Sequence, residues 1–295
     1  MTLQRIALIG FGEVGKTLAG DLAERGAGDL SAWDVKFSDP SGAPSIFMKD
    51  AGGLAAGSAT EAVRSADLVI SAVTAAQTVA AATSVATGLN KGAFFLDMNS
   101  ASPGMKKEAA RLVSAAGGRY VEAAVMSPIG PKGIATSILL GGPYAEEFIG
   151  EARDLGFSGM KVFSPDLGKA SAAKMCRSVM VKGIESLLTE SLLSARRYGV
   201  EDTVIASLSD LFAGPDWASL SRYMISRSLE HGTRRAEEMR EVARTVEEAG
   251  LSPLMSSACA ERQDLSAAFA YALKEQDLHE MLDAILEGAG AERKL

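Results

Sequence analysis

A short apolar strand that runs straight into a glycine loop restricts this chain more than any other feature. Residues 5–10 (RIALIG) read as a buried, β-branched strand. Gly10-Phe11-Gly12-Glu13-Val14-Gly15 follows, and a helical run over 13–25 closes near Gly26. In a Gly-x-Gly-x-x-Gly loop the first glycine permits a tight turn and the second lets backbone approach a pyrophosphate. The third allows close helix–strand packing, and the helix N-terminus favours an anion. Residues 30–34 (LSAWD) read as a second strand ending on Asp34. A carboxylate there can accept hydrogen bonds from adenosine ribose hydroxyls and would repel a 2′-phosphate, which favours NAD. Lys36 and Lys49 keep NADP open.

The same residues spell a second motif. GFGEVGKT, residues 10–17, satisfies the phosphate loop of nucleotide hydrolases, with Lys16 for the phosphates and Thr17 for magnesium. FFLD, residues 94–97, resembles the apolar strand that ends in a magnesium-binding Asp. An ATPase of this kind has no need of Asp34, and the plain reading of Lys16 is a solvated helix residue.

Strands and helices alternate up to residue 164. Further strands are expected over 67–73, 93–97, 120–125, 136–140 and 159–163, with helices from Thr60 and over 76–87 and 143–155. Residues 35–59, with Pro40, Pro44 and several glycines, read as loop. Ser102 and Pro103 read as the N-cap and first position of another helix. The character changes at Ser164-Pro165-Asp166. Beyond it no convincing strand appears, and helices are expected over 168–198, 201–212, 216–230, 233–249, 253–272 and 275–287. The expected fold is an α/β Rossmann domain with a doubly wound, mostly parallel sheet over 1–164. An all-α domain over 165–295 is joined to it by a long helix.

Composition narrows the function classes. The net charge is −7, neither half is basic, and no Lys/Arg stripe with interleaved aromatics occurs, so no nucleic-acid partner is expected. A few local cations would still suffice for a small anionic substrate. Cys176 and Cys259 lie in apolar helical patterns and read as buried reduced thiols. With two histidines, a multi-His metal site is not expected. No apolar run reaches about 18 residues and no secretory leader pattern opens the chain, so no membrane span and a cytoplasmic location are expected.

Residues 165–178 read PDLGKASAAKMCRS. Lys174, Arg177 and Ser178 share one helix face at i, i+3 and i+4, and such a polar stripe can simply face solvent. With this segment the chain resembles the β-hydroxyacid dehydrogenase family, which includes 3-hydroxyisobutyrate and 6-phosphogluconate dehydrogenases. Four segments carry the resemblance: GFGEVG at Gly10, DMNSASP at Asp97, the run over 121–142 ending LLGG, and GKASAAKMCRS at Gly168. EEAGLSPL (residues 247–254) adds a weaker match, and HGTRRAEEMREV from His231 points to a subgroup with an altered C-terminal domain.

The resemblance implies roles. Lys174 takes the position of the family's catalytic lysine, the general acid/base for hydride transfer. That task needs a pKa below the usual value of about 10.4, which burial and the neighbouring Arg177 would favour. Ser127 matches the serine that helps bind the substrate carboxylate. Asn99 and Ser100 hold the strand-end position that meets cofactor and substrate, and Val73-Thr74 line the nicotinamide-ribose side. There are four departures. Pro128-Ile129 replace Gly-Gly and remodel the carboxylate pocket. Arg177 and Ser178 replace the Asn positions, and Arg177 suits an anionic substrate. Val181 stands where phosphogluconate dehydrogenases carry a glutamate, and Glu237 where hydroxyisobutyrate-type members often carry a lysine.

The expectation is therefore an NAD(P)-dependent oxidoreductase for a small anionic hydroxyacid-like substrate. Lys174 is its acid/base, and Ser127, Arg177, Ser178 and Ser100 bind substrate. Gly10, Phe11, Gly12, Glu13, Val14, Gly15, Asp34, Val73, Thr74 and Asn99 bind cofactor, with no metal. Apolar helix faces in the second half suggest a homodimer or higher homo-oligomer. Alternatives are an imine reductase on the same fold, which usually lacks the lysine, the phosphate-loop ATPase, and a non-enzymatic dinucleotide sensor.

Overall fold

The glycine loop connects β1 (Arg5–Ile9) to α1 (Glu13–Glu24), as its spacing predicts. The computed structural model describes residues 3–292. The chain continues through β2 (Asp29–Trp33), α2 (Ala43–Asp50), β3 (Leu54–Ala55), α3 (Ala59–Ala62), β4 (Leu68–Ser71), α4 (Thr78–Val85) and β5 (Phe94–Asp97). Then come α5 (Pro103–Ala115), β6 (Arg119–Val125), β7 (Ile138–Gly141), α6 (Ala145–Ala152) and β8 (Met160–Ser164). The strands form one sheet in the order β3-β2-β1-β4-β5-β6-β7-β8, parallel throughout except where β6 meets β7.

Alternation along β1 explains the layers. Ile6 and Leu8 enter a core with Leu18 and Leu22 of α1 and Phe148 of α6. Ala7 and Ile9 enter a second core with α3, α4 and α5. Both faces of the sheet are thus covered by helices, and β4 (LVIS) and β5 (FFLD) are buried at every residue. The strand order reverses between β1 and β4, which opens the crevice where α/β sheets bind ligands.

Residues 35–59 are not a loop. They hold a 3-10 turn, α2 and β3. Pro44 looked like a helix breaker but sits in the first turn of α2, where a missing N–H breaks no helical bond. Ser102 caps α5 as expected, its side chain accepting a hydrogen bond from Met105 N.

The chain divides into two compact units between Met175 and Cys176. α7 (Lys169–Tyr198) runs through that point, and the second unit continues with α8 (Glu201–Leu211), α9 (Trp217–Glu248), α10 (Leu254–Ala267) and α11 (Leu278–Glu292). Among the described residues it has no strand. Its core gathers Leu192, Ile225, Leu229, Met281, Leu282 and Ile285. The two helices expected over 216–230 and 233–249 are one continuous helix. Gly232 marks no break there; a Cβ on it would overlap the Gln263 carbonyl oxygen, so it admits α10 at close range. Cys259 is buried, but Cys176 is exposed, because its position on α7 lies off the buried face that carries Met175 and Ser178. No helix among the described residues is long and apolar enough to cross a membrane.

Candidate active site

Steric need separates the three loop glycines. Gly10 has φ +94°, and a Cβ on it would overlap the Ala72 carbonyl oxygen just past β4. A Cβ on Gly15 would overlap the Gly10 carbonyl oxygen. Gly12 has no atom within 4 Å of its Cβ position, so the loop is open there, at the N-terminus of the 12-residue α1. That open N-terminus fits a dinucleotide pyrophosphate. Glu13 is exposed in the first turn, and Val14 packs half-buried on the core.

Asp34 braces this loop. Its Oδ2 accepts from Phe11 N at 2.7 Å, and its Oδ1 accepts from Lys36 N at 2.9 Å. The Phe11 ring is fully buried, 5.2 Å from the Phe37 centroid and 5.9 Å from Phe47. Phe11 therefore shapes the loop from beneath, and its N–H is already used. Asp34 keeps acceptor capacity, since a carboxylate offers about four lone-pair sites.

Across the crevice, Asn99 ties two strand ends together. Its side chain accepts from Val73 N at 2.7 Å and donates to Ser71 Oγ at 3.0 Å. Its own N–H donates to Asp97 Oδ1 at 2.9 Å. Thr74 is exposed beside it. Beneath lies an ionic pair that sequence reading missed. Asp97 and Lys106 are 0% and 1% exposed, and Lys106 Nζ donates to Asp97 Oδ1 at 2.7 Å. Tyr120 OH donates to Asp97 Oδ2 at 2.7 Å. Burial and the charges of Asp97 and Glu122 hold the Tyr120 phenol well above its usual range. A signal existed: Lys106 shares the buried stripe of α5 with Ala109, Ala110 and Val113.

This arrangement does not suit a phosphate loop. Asp97 is sealed under Lys106 and Tyr120, and the Thr17 hydroxyl donates to the Glu13 carbonyl at 2.9 Å.

The structure joins Lys174 to Ser100. Lys174 Nζ donates to Ser100 Oγ at 2.6 Å, and both residues are half-buried. Ser127 lies half-buried just past β6, outside this hydrogen-bonded group. Ile129 is buried in the first core, and Asp21 of α1 accepts from Ile134 N at 2.6 Å, which holds that loop against α1. Arg177 and Ser178 follow one turn along α7; Arg177 is exposed, and Ser178 is buried and accepts from Lys182 Nζ at 3.5 Å.

In the second unit Arg196 pairs with Glu201 and Asp283, and His279 lies 3.1 Å from Asp202. Glu201, Asp202 and His279 bring ligand-type atoms within 4.8 Å of one another, but the Arg196 guanidinium already neutralises Glu201.

Comparisons with known proteins add the following. Residues 5–148 match the NAD binding domain of 6-phosphogluconate dehydrogenase, and residues 195–265 match a domain of unknown function, DUF1932. The mitochondrial 3-hydroxyisobutyrate dehydrogenase of Homo sapiens is 24% identical over 219 residues, covering 72% of this chain and 63% of that protein. The chain thus spans less than two thirds of the length of that relative. A conserved hypothetical protein from Sinorhizobium meliloti 1021 is 37% identical, with a TM-score of 0.77 over 97% of both chains. The conserved protein MTH1747, described as structurally similar to 3-hydroxyacid dehydrogenases, is 30% identical. Its TM-score is 0.70, over 96% of this chain and 99% of that one.

Proposed function

The chain belongs to the β-hydroxyacid dehydrogenase family, and on that premise we propose that it is an NAD(P)-dependent oxidoreductase for a small anionic β-hydroxyacid, with Lys174 as its general acid/base. The hydrogen bond from Lys174 Nζ to Ser100 Oγ, beside the strand ends of the crevice, carries this reading. The dinucleotide, when bound, supplies the hydride acceptor for oxidation or the donor for reduction.

The chain's own groups handle the proton and the anion. In oxidation the neutral Lys174 amine takes the substrate hydroxyl proton at Nζ; in reduction the ammonium returns it to the forming alkoxide. Ser100 holds the side chain in place between turnovers. Arg177, with two parallel N–H groups, suits a carboxylate or phosphate, and Ser127 and Ser178 each offer a hydroxyl of the kind an anion takes. Gly10, Gly12 and Gly15 shape the loop that receives the pyrophosphate. Asp34, already fixed by Phe11 and Lys36, opposes a 2′-phosphate, so titration should give tighter binding of NADH than of NADPH; the reverse order would remove that role from Asp34. The second unit exposes Met180, Leu187, Leu254 and Leu265, apolar surface that a second copy would cover, which sedimentation velocity tests directly.

The deciding experiment compares native chain and Lys174→Met with NAD⁺ and 3-hydroxyisobutyrate, then with other short β-hydroxyacids. Turnover should fall by about 10²-fold or more, within the ordinary range of acid–base catalysis, with NADH affinity nearly intact. Equal turnover in the two proteins would overturn the assignment.

A further inference from the structure

We propose that Glu122, a buried carboxylate in the middle of β6, is the positioning residue that sets Lys174 against Ser100. The inference deepens the acid/base reading of Lys174 and rests on it for its catalytic meaning, though not for its geometry.

The need for such a residue follows from the start of α7. A helix leaves its first N–H groups without intrahelical partners, and a Ser, Thr, Asp or Asn at the N-cap usually satisfies one of them. The residue before α7 is Gly168, which has no side chain to offer. Glu122 supplies the cap from another strand. Its Oε2 accepts from Gly168 N at 2.6 Å, and its Oε1 accepts from Ser171 N at 2.6 Å. The Glu122 side chain is 0% exposed, so water offers no substitute for these two bonds. A negative charge there also meets the positive end of a 30-residue helix.

The surroundings are cut to admit this contact. A Cβ on Gly141, the β7 residue paired with Glu122, would lie 2.7 Å from Glu122 Oε2. A Cβ on Gly142 would lie 2.8 Å from Leu167 Cδ2. The paired glycines of the LLGG segment therefore make room for the carboxylate and for the entry to α7.

Lys174 lies six residues past Gly168, less than two turns from the clamp. Two hydrogen bonds to one rigid carboxylate fix both the rotation and the height of the first turn, and with them the direction in which Lys174 leaves the helix. Ser100 is held independently, because Asn99 and the Asp97–Lys106 pair fix its loop. In the sheet Asp97 and Glu122 are paired residues of β5 and β6. One carboxylate thus anchors the loop of the acceptor hydroxyl, and its neighbour anchors the helix of the donor amine.

The test reads the position of Lys174 without a substrate. Full-length native, Glu122→Gln, Gly141→Ala and Ser100→Ala proteins are labelled with a trace of acetic anhydride at pH 8, and the rate at each lysine is read by peptide mass spectrometry. Glu122→Gln keeps the shape but turns one acceptor into a donor facing an N–H. Gly141→Ala keeps the charge and displaces the carboxylate. Both should speed labelling of Lys174 by about fivefold, the factor one such hydrogen bond represents, as Ser100→Ala does. Lys106, buried on α5, should keep its native rate in all four. A merely destabilised protein would speed Lys106 along with Lys174, and that outcome would overturn the proposal. So would native labelling of Lys174 in Glu122→Gln and Gly141→Ala alongside faster labelling in Ser100→Ala. The Lys174→Met assay stands apart: if turnover survives there, the acid/base reading fails while the labelling still decides whether Glu122 sets this contact.

Discussion

The two units bury charge in different ways. In the first, each buried carboxylate takes at least one backbone N–H beside any side-chain partner. Glu122 takes two backbone N–H groups, and Asp97 takes Asn99 N, the Tyr120 hydroxyl and Lys106 Nζ. In the second, carboxylates meet long cations across helix faces: buried Glu185 pairs with Arg235, and half-buried Glu238 with Lys182 at 2.8 Å. There the fit is looser, and Arg235 Nε and Gln263 Oε1 are buried without hydrogen-bond partners. Burial pushes the Glu185 carboxyl above its ordinary range despite Arg235 and Lys182. A sheet holds backbone donors at fixed spacing, whereas helix faces meet only through side chains. The first unit can thus seal a charge within rigid geometry, and the second retains a group that can take up a proton.

The sharpest way to break this comparison is to remove one cation from each unit. Lys106→Met leaves Asp97 buried and unpaired and should cost about 3–5 kcal/mol in urea unfolding at pH 6. Arg235→Met should cost clearly less, since Glu185 can become neutral by binding a proton. Equal losses would erase the distinction.

A second comparison concerns glycines that are packed against glycine left open. Gly10→Ala and Gly232→Ala both force a Cβ into a carbonyl oxygen and should each cost about 1–3 kcal/mol, visible in thermal melts. Gly12→Ala meets no neighbour and should stay within about 0.5 kcal/mol of native, while weakening NADH binding. A Gly12→Ala protein that melts early, or that binds NADH as the native chain does, would contradict the open loop.

The smallest effect is a matter of sign with pH. A carboxyl whose folded pKa is raised binds more protons when folded, so its contribution falls as pH rises through the interval between the unfolded and folded values. Asp67, paired with Arg5 at 2.8 Å, lies below its ordinary range; its contribution is present above the unfolded pKa and is lost as pH falls. Replacing Glu185 by Gln should therefore raise the melting temperature more at pH 7 than at pH 4, and replacing Asp67 by Asn should lower it more at pH 7 than at pH 3. The same pH trend for both variants would show that the two carboxyls are buried alike.

Much of the first unit was legible because its signals are local. The glycine spacing, the Ser102-Pro103 helix start and the apolar strands each depend on a few neighbouring residues, and the sheet followed from their alternation. The errors arose where a residue's meaning depends on a distant partner. Pro44 looked like a breaker until its place in the first turn of α2 was known. Gly232 falls in the gap between the two helices expected there, but it is a point of close approach to Gln263. Lys106 drew no reading from the sequence, though its place on the buried stripe of α5 pointed inward. Glu122 carried one signal, a lone carboxylate in an apolar strand run, but no local pattern names the helix it caps 46 residues away.

By itself the sequence determined the two-part architecture, the glycine loop, the strand that leads to Asp34 (its end falls one residue earlier, at Trp33) and the lysine six residues after Gly168. Periodicity and backbone permissiveness are properties of short segments, and they survive without knowledge of the fold. Only the tertiary structure decided that Lys174 meets Ser100, that Asp34 braces the loop from Phe11 N, and that Asp97 and Glu122 stand side by side with different partners. These contacts join residues between 23 and 74 positions apart. Burial makes each one obligatory, because a charge or an N–H removed from water must find its partner wherever the fold places it.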